Sequence, residues 1–442
     1  MRKFGLLSGI GIFCSVLMVQ NSFAMDLSFD TAVEKIMAES QDLKKADANV
    51  KKAQAQLDAV NANRWMNVEG SVSYMNLVNV EKPLSGDGVV LPTEFGGLIT
   101  AMTGGAVTNV QIPDNIGMAG VTVKQPIYTF GKIGNAVDAV RSAINMSESG
   151  RELAKREVKY AAANMYWTAK MTDGLVKIAK KSLDDTVSAK NKLTAAGRAG
   201  RGNLVKIESD IEAKKINLSD AEFNRDTAYR MLKILAGIDM NEDLNLTDDM
   251  PVKFENIETT KLTSNPEWDM LNQQIQMYES NASSKRAGHY PTLAATASYD
   301  YIATNTNSDV FAGDKNQSAY WGIAFQVPLF DGGLARANAT MEAMNAESAR
   351  QDLDKSKKMK TEEFNTALKK YNHLRGNLES LENARNLAEK AYKISRDRFA
   401  AGQTSAIELA EVSAGLSQLD MALLNAKYNI LMAEESIKKL GE

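Results

Sequence analysis

Few residues of this 442-residue chain have the types and spacing that catalysis or metal binding requires. The two histidines, His289 and His373, lie far apart, and neither has metal-ligand spacing. The stretch Gly86–Gly105 is rich in glycine but lacks the lysine and serine that end a phosphate-binding loop. No nucleophile motif is present. The sequence therefore argues against an enzyme, and we predict no catalytic residue, cofactor or metal site.

The first 24 residues have the pattern of a secretory signal peptide. Arg2-Lys3 precedes a short apolar core, and Ser22-Phe23-Ala24 places small residues at positions −3 and −1 of a cut before Met25. The single cysteine, Cys14, lies in this core, and the bulky Phe13 before it favours an incidental apolar residue over an acylation site. The mature chain is predicted to be exported and free of cysteine. The formal net charge of −3, without a basic stripe, argues against nucleic acid as a partner.

Glycine-marked turns interrupt the longest helical patterns. Apolar residues recur at steps of three and four on both sides of the turn in Arg398–Leu416, as in a packed antiparallel helix pair. Gly402 is the expected left-handed stop of the first helix, and Thr404 or Ser405 is the expected cap of the second. Lys192–Ile211 has a similar arrangement much earlier in the chain. We therefore predict two long helical hairpins, with tips near 197–202 and 400–405.

The helices of these hairpins are too long for a compact domain. Residues 132–195 contain no proline, and at about 1.5 Å per residue a helix of this length reaches roughly 96 Å. Such a helix is typical of a strut or of the wall of a tube.

Alternating apolar and polar residues predict four strands, at about 67–80, 118–128, 292–304 and 319–329. The two pairs belong to an internal duplication, since Gln125-Pro126-Ile127-Tyr128 matches Val327-Pro328-Leu329-Phe330. The predicted organisation is a first repeat over 25–236, a linker over 237–263 and a second repeat over 264–442. Each repeat runs helix, strand, loop, strand, long helix, tip, helix.

Four half-apolar strands cannot close a barrel within one chain, because small closed barrels need about eight strands. Three chains would supply twelve. The aromatic residues of the strands suit the girdles of an outer-membrane barrel. The alternative is a small soluble sheet that caps a helical domain and buries these aromatic residues in an ordinary core. The long hairpins favour the oligomer, because their apolar seams require neighbours.

Several motifs give the chain a resemblance to the TolC family of outer-membrane factors, over essentially the whole mature chain. They are Asn265-Pro266-Glu267, Arg286 through Pro291, Val327–Gly333 and Arg398–Gly402. The first repeat departs from the pattern at its start, with Glu39-Ser40-Gln41 where Asn-Pro is usual. The resemblance implies a mainly α fold with a small antiparallel β part and two structural repeats per chain. Three chains would form a twelve-stranded outer-membrane β-barrel, continued by a long periplasmic α-helical barrel with the linker in an equatorial belt.

The resemblance also implies functional positions around the two tips. The tips, with Gly197, Arg198, Gly402 and Gln403, would meet a periplasmic adaptor. Glu408 and Glu411 fall where the family places acidic rings that narrow the periplasmic entrance. Residues three apart share a helix face, and three copies would surround one axis with six carboxylates, which favours cations. The alternative is that these glutamates lie on an ordinary solvated helix face.

The family prototype latches the closed entrance with polar links between neighbouring hairpins. The corresponding positions here are Asn203, Phe399 and Thr404, which replace an aspartate, a tyrosine and an arginine. A salt-bridge latch of that kind is therefore missing from this sequence.

The function implied is that of a passive exit duct in a tripartite efflux pump or a type I secretion system of a Gram-negative cell. Its partners would be two further copies of the chain, outer-membrane lipid, a periplasmic adaptor (membrane fusion protein) and an inner-membrane transporter of the RND, ABC or MFS type. The alternative is a periplasmic coiled-coil adaptor or structural trimer without a membrane barrel. That alternative accounts for the hairpins but not for the repeated strand pairs.

Overall fold

The computed structural model describes residues 25–76, 115–195, 200–251, 253–257, 261–305 and 314–441. Within these ranges the chain is mainly helical, with one small antiparallel sheet and one pair of short parallel strands. The helices are α1 (Phe29–Glu39), α2 (Gln41–Ala62), α3 (Lys132–Ala195), α4 (Arg201–Ala236), α5 (Pro266–Arg286), α6 (Leu334–Ala400) and α7 (Ala406–Gly441). None of these described helices is both long enough and apolar enough to cross a lipid bilayer.

The antiparallel sheet joins strands from distant parts of the sequence. Its strand order is β2-β3-β5-β6, with β2 (Asn67–Asn76), β3 (Asn115–Tyr128), β5 (Thr292–Asn305) and β6 (Asp314–Gln326). The central pairing of β3 with β5 sets Val121 opposite Tyr299. The short strands β1 (Met25–Leu27) and β4 (Leu244–Leu246) pair in parallel.

The chain divides into two compact units. The sheet unit comprises residues 48–150 and 267–355, and it holds the four-stranded sheet with the parts of α2, α3, α5 and α6 in those ranges. The helical unit comprises the described residues of 1–47, 151–266 and 356–442. The end of α3, the start of α4 and the turn between α6 and α7 all belong to the helical unit.

An aromatic cluster forms one core of the helical unit. Phe29 stacks on Trp167 with ring centroids 5.3 Å apart, and Tyr166 meets Trp167 edge to face. The hydroxyl of Tyr166 donates to the carbonyl of Leu27 in β1, at 3.2 Å. Burial raises the pKa of Tyr166 to about 12. This core fixes the β1–β4 pair and the following segment against α3.

Three local features differ from the sequence-based expectations. The first helical stretch is two helices, because Ser40 has an extended ψ of 120° and its Oγ accepts from the amide of Leu43. Strand β6 ends at Gln326 rather than 329, since Pro328 lacks the N–H that a further ladder bond needs. The β1–β4 pair was not predicted, because three residues are too few for an alternating pattern.

Candidate functional site

The register of the sheet gathers apolar side chains on one face. Val72 of β2 lies opposite Ala119, which lies opposite Tyr301, and Ala297 lies opposite Trp321. Many large side chains of this face are open to solvent in the single chain, with Val72 87% and Trp321 84% exposed. The face comprises Val68, Val72, Tyr74, Ala119, Val121, Val123, Leu293, Ala295, Ala297, Tyr299, Tyr301, Trp321, Ile323 and Phe325. Exposure of this much apolar surface indicates a lipid or protein partner.

The opposite face of the sheet is polar and internally hydrogen-bonded. Thr122 and Ser298 share a hydrogen bond of 3.1 Å across the β3–β5 pair, and Ser298 donates to Asp300 at 3.0 Å. Asp300 lies against Gly120, where a Cβ would come 2.3 Å from its Oδ1. A larger residue at this position would have to displace this carboxylate. The sheet thus has the two unlike faces that its alternating sequence predicts.

Both edges of the sheet pair on one side only. Among the described residues, β2 pairs only with β3, and β6 pairs only with β5. Open edges expose unpaired amides and carbonyls, which are a template for pairing with another strand.

The second hairpin turns at Gly402, as predicted. Gly402 has a φ of 74°, the left-handed region that glycine adopts without strain. Its amide donates to Phe399 at 2.9 Å, and the amide of Gln403 donates to Arg398 at 2.9 Å, which is the Schellman pattern of helix ends. Ser405 caps α7, because its Oγ accepts from the amide of Glu408 at 3.2 Å. Gly402 and Gln403 are exposed, whereas Gly197 and Arg198 lie outside the described residues.

The two predicted entrance glutamates lie on the exposed side of α7. The neighbouring Ala406 and Leu409 are buried on its other side. Glu408 accepts a hydrogen bond from the hydroxyl of Thr404, and it lies in the first turn of α7, where the helix dipole favours negative charge. Glu411 makes no ion pair or hydrogen bond with the described residues. The two carboxylates are thus accessible to an ion, and one of them also stabilises the turn.

Phe399 has a core role instead of a polar one. It is 1% exposed and packs in an apolar cluster with Leu193, Ile207, Ala406 and Leu409. This cluster joins the end of α3, the start of α4, the end of α6 and the start of α7, and we call these four helix ends (182–195, 201–217, 388–400 and 406–417) the tip bundle. Asn203, in the first turn of α4, is half-buried, as is Thr404.

A buried lysine crosses the tip bundle. Lys214 of α4 is 8% exposed, and its Nζ lies 2.9 Å from the Oγ1 of Thr186 in α3 and 3.0 Å from the Oγ of Ser413 in α7. Asp210 lies one turn away on α4, with its carboxylate 3.6 Å from the ammonium. Burial lowers the pKa of Lys214, and the nearby charges of Asp210 and Asp185 partly offset this effect. One side chain therefore bridges the two hairpins.

Sequence reasoning did not identify this lysine, although a signal was available. Ile207, Ile211 and Lys214 recur at steps of four and three, so Lys214 occupies a position of the apolar seam. Ser413 likewise stands between Leu409 and Leu416 in the seam of α7. A polar residue in such a seam needs a partner, and it specifies the register of the helices.

The described residues combine a sheet with one apolar and one polar face and a long helical hairpin, α6–α7, whose turn is followed by accessible acidic groups, which suits a subunit of a membrane channel. The family model described as outer membrane efflux protein matches residues 32–237 and 260–441. The chain therefore belongs to the outer membrane efflux protein family, which confirms the predicted TolC-type relationship. It resides in the outer membrane of a Gram-negative cell and extends into the periplasm, as an efflux channel in a family of channels rather than enzymes.

Individual relatives are distant in sequence but cover nearly the whole chain. The probable outer membrane lipoprotein SilC of Salmonella typhimurium is 18% identical over 420 residues, or 92% of this chain and 84% of SilC. The CmeC outer membrane channel of Campylobacter jejuni has a TM-score of 0.75 at 18% identity, over 93% of this chain and 85% of CmeC. CusC has a TM-score of 0.74 at 16% identity, over 95% of this chain and 93% of CusC. At these identities the structural likeness establishes the fold.

Proposed function

We propose that this chain forms a trimeric exit duct, through which a tripartite efflux pump or a type I secretion system moves its cargo across the outer membrane. The main support for this proposal is the four-stranded sheet, which among the described residues has one exposed apolar face and two unpaired edges. Such a sheet cannot satisfy its edge groups in lipid unless it closes.

The strand directions favour closure between copies. The sheet has four strands and is antiparallel throughout, so β2 and β6 run in opposite directions. The β6 edge of one copy can therefore pair with the β2 edge of the next and continue the antiparallel pattern. This contact is heterologous and closes as a ring. Three copies give a barrel of twelve strands, with the apolar face towards lipid and the polar face towards the lumen.

The helical unit also has surface that a neighbouring copy would cover. Ile216, Phe223, Met231 and Ile234 of α4 are between 51% and 71% exposed. In the proposed trimer, the helices of three copies form the wall of a periplasmic tube, and the segment 237–263 contributes to its equatorial belt.

The hairpin ends are the proposed contact with the rest of the pump. Gly402 and Gln403, with Gly197 and Arg198 of the first tip, would dock a periplasmic adaptor, which connects the duct to an RND, ABC or MFS transporter. Glu408 and Glu411 would surround the periplasmic entrance and favour cations. The chain would act as a passive conduit without chemistry of its own, so we propose no enzymatic role.

A pair of neighbouring residues tests the membrane assignment of the sheet. Ala319 belongs to the apolar face and Ser318 to the polar face, and both are exposed. Ala319→Lys should cost about 2–4 kcal/mol in a lipid environment and strongly reduce the trimer recovered from outer-membrane fractions, whereas Ser318→Lys should cost about 1 kcal/mol or less. Equal recovery of the two variants would contradict the proposal and favour a sheet outside the membrane.

A further inference from the structure

Exposed apolar side chains collect at one end of the sheet. At this end β2 and β5 begin and β3 and β6 end, so four connections to helices meet here. Leu329 and Phe330 are 91% and 90% exposed, and Trp65 is 72% exposed. We call the segments 61–67, 124–134, 284–292 and 326–337 the collar. Its exposed apolar residues include Trp65, Tyr128, Phe130, Tyr290, Leu329 and Phe330.

The collar is also basic. It contains six lysines and arginines, and its single acidic residue is Asp331. Asp331 is engaged in capping α6, since it accepts from the amides of Gly333 at 2.8 Å and Ala335 at 3.0 Å. The six cationic residues are all exposed, and they are Arg64, Lys124, Lys132, Lys285, Arg286 and Arg336.

None of these six cations forms an ion pair with a carboxylate of the described residues. Elsewhere in the sheet unit, exposed arginines do find partners. Arg141 lies 3.3 Å from Asp138, and Arg350 lies 2.9 Å from Glu347. Lys124 belongs to the polar face of the sheet, whereas the other five cations lie outside the strands, in the connections or at the adjoining helix ends. Unpaired cations in these segments, beside exposed aromatic rings, form a surface that suits anionic groups at an apolar boundary.

One part of the collar is concave. Asn61, Arg64, Trp65 and Gln125 line an open hollow of about 570 Å³, and the amide of Gln125 donates to the carbonyl of Arg64 at 2.8 Å. Gln125 follows Val121 and Val123 along the apolar row of β3, although a register irregularity follows at Pro126. The hollow therefore lies at the end of the apolar face, where a lipid chain and its headgroup would be continuous.

We propose that the collar binds the anionic headgroups of phospholipids in the periplasmic leaflet of the outer membrane. The proposal rests on the proposed barrel, because the helix-connected end of the sheet is then its periplasmic end. Arginine and lysine donors would bind phosphate oxygens, and Trp65 would occupy the boundary between acyl chains and headgroups. The lipid surface would thereby set the depth at which the barrel lies.

Native mass spectrometry tests this inference on the full mature protein. The protein is reconstituted into vesicles of phosphatidylethanolamine with phosphatidylglycerol, extracted in mild detergent, and examined for retained lipid. The wild type should retain phosphatidylglycerol in preference to phosphatidylethanolamine. The triple variant Arg64→Gln, Lys132→Gln, Arg286→Gln should retain at least tenfold less phosphatidylglycerol, since each charge raises the affinity for an anionic surface about fivefold. Arg141→Gln is the matched control and should behave as the wild type.

The outcomes are distinguishable. Unchanged phosphatidylglycerol retention in the triple variant, or equal loss of both lipids, would overturn the collar as an anionic-lipid surface. The same spectra report the oligomer, so a monomeric wild type would reject the proposed trimer separately. If the triple variant fails to assemble, the single variant Arg64→Gln is measured instead. It should retain about fivefold less phosphatidylglycerol than the wild type, and unchanged retention would overturn the proposal.

Discussion

The Nζ of Lys214 in α4 lies 3.0 Å from the Oγ of Ser413 in α7, so a polar contact replaces an apolar one in the seam of the tip bundle. The same ammonium reaches Thr186 of α3. Burial disfavours its charge more than the two nearby aspartates favour it, as the lowered pKa shows. We therefore expect Lys214 to specify the register of the tip bundle at a desolvation cost that its partners offset only in part.

Replacing Lys214 together with Asp210 should stabilise the tip bundle. The double variant Lys214→Met, Asp210→Asn removes both charges of the pair with little change in volume, so it should raise the local free energy of unfolding by about 1 kcal/mol. The measurement is hydrogen exchange of residues 182–195 and 406–417. The control is Lys215→Met, because Lys215 is exposed and pairs with Glu212 on the surface at 2.8 Å. Its effect should stay within about 0.5 kcal/mol. Loss of protection in the double variant would show that the pair is a net stabiliser.

The buried phenol of Tyr392 in the tip bundle should make the free energy of unfolding depend on pH in the alkaline range. Burial raises the pKa of Tyr392 to about 12, above its ordinary value of 10. The folded state then holds the phenol proton more firmly than the unfolded state. The contribution of Tyr392 to the free energy of unfolding is therefore fully present below pH 10 and is lost as pH rises towards 12. Between pH 10 and pH 12 the free energy of unfolding should fall less in Tyr392→Phe than in the wild type, and at pH 12 the two falls should differ by up to about 2 kcal/mol. Unfolding midpoints that fall identically in both proteins would contradict the assignment.

Two glycines near the second tip should respond oppositely to alanine. Gly402 has a φ of 74°, so Gly402→Ala should destabilise by about 1 kcal/mol. Gly415 lies inside α7, and a Cβ there would meet no atom within 4 Å. Gly415→Ala should therefore stabilise by about 0.5–1 kcal/mol. Denaturant unfolding of both variants checks the pair, and a neutral Gly402→Ala would contradict the left-handed turn.

The sequence predicts those local features that depend only on residues within one short segment. The stop at Gly402, the cap at Ser405 and the two faces of the sheet all follow from residue types a few positions apart. The features it missed depend on distant partners. Met25–Leu27 becomes a strand only because Leu244–Leu246 pairs with it, and Phe399 enters a core that three other helix ends complete. The bridge from Lys214 to Ser413 required the packing of two hairpins, although both residues interrupt recognisable seams.

The entrance glutamates should control ion selectivity. If Glu408 and Glu411 surround the axis of a trimer, the double variant Glu408→Gln, Glu411→Gln should lower cation selectivity and weaken block by multivalent cations in single-channel recordings. Conductance should change little, because helix packing sets the width. Glu222→Gln, which removes an exposed carboxylate from the middle of α4, is the control. Wild-type selectivity and block in the double variant would place the two glutamates on an outer, solvated face.

Glu408 alone should also affect the turn. Its carboxylate accepts from Thr404, so Glu408→Gln should retain a weaker hydrogen bond and Glu408→Ala should lose it. Selectivity that falls equally in both single variants would indicate charge as the cause. A fall in Glu408→Ala alone would indicate a change in the turn.

The most direct test of the account is whether β2 of one copy pairs with β6 of another. The single cysteine, Cys14, lies in the predicted signal peptide, so engineered cysteines in the mature chain can form disulfides only with one another. Ser71 of β2 and Asn316, Ser318 and Tyr320 of β6 belong to the polar face, and cysteine at position 71 is combined with each of the three in turn. Facing residues of paired strands lie within disulfide reach. We predict that one combination converts the protein in outer membranes to covalent trimers on non-reducing gels, with no larger species. Chains that stay monomeric in every combination, or ladders that continue beyond three, would contradict a closed trimeric barrel.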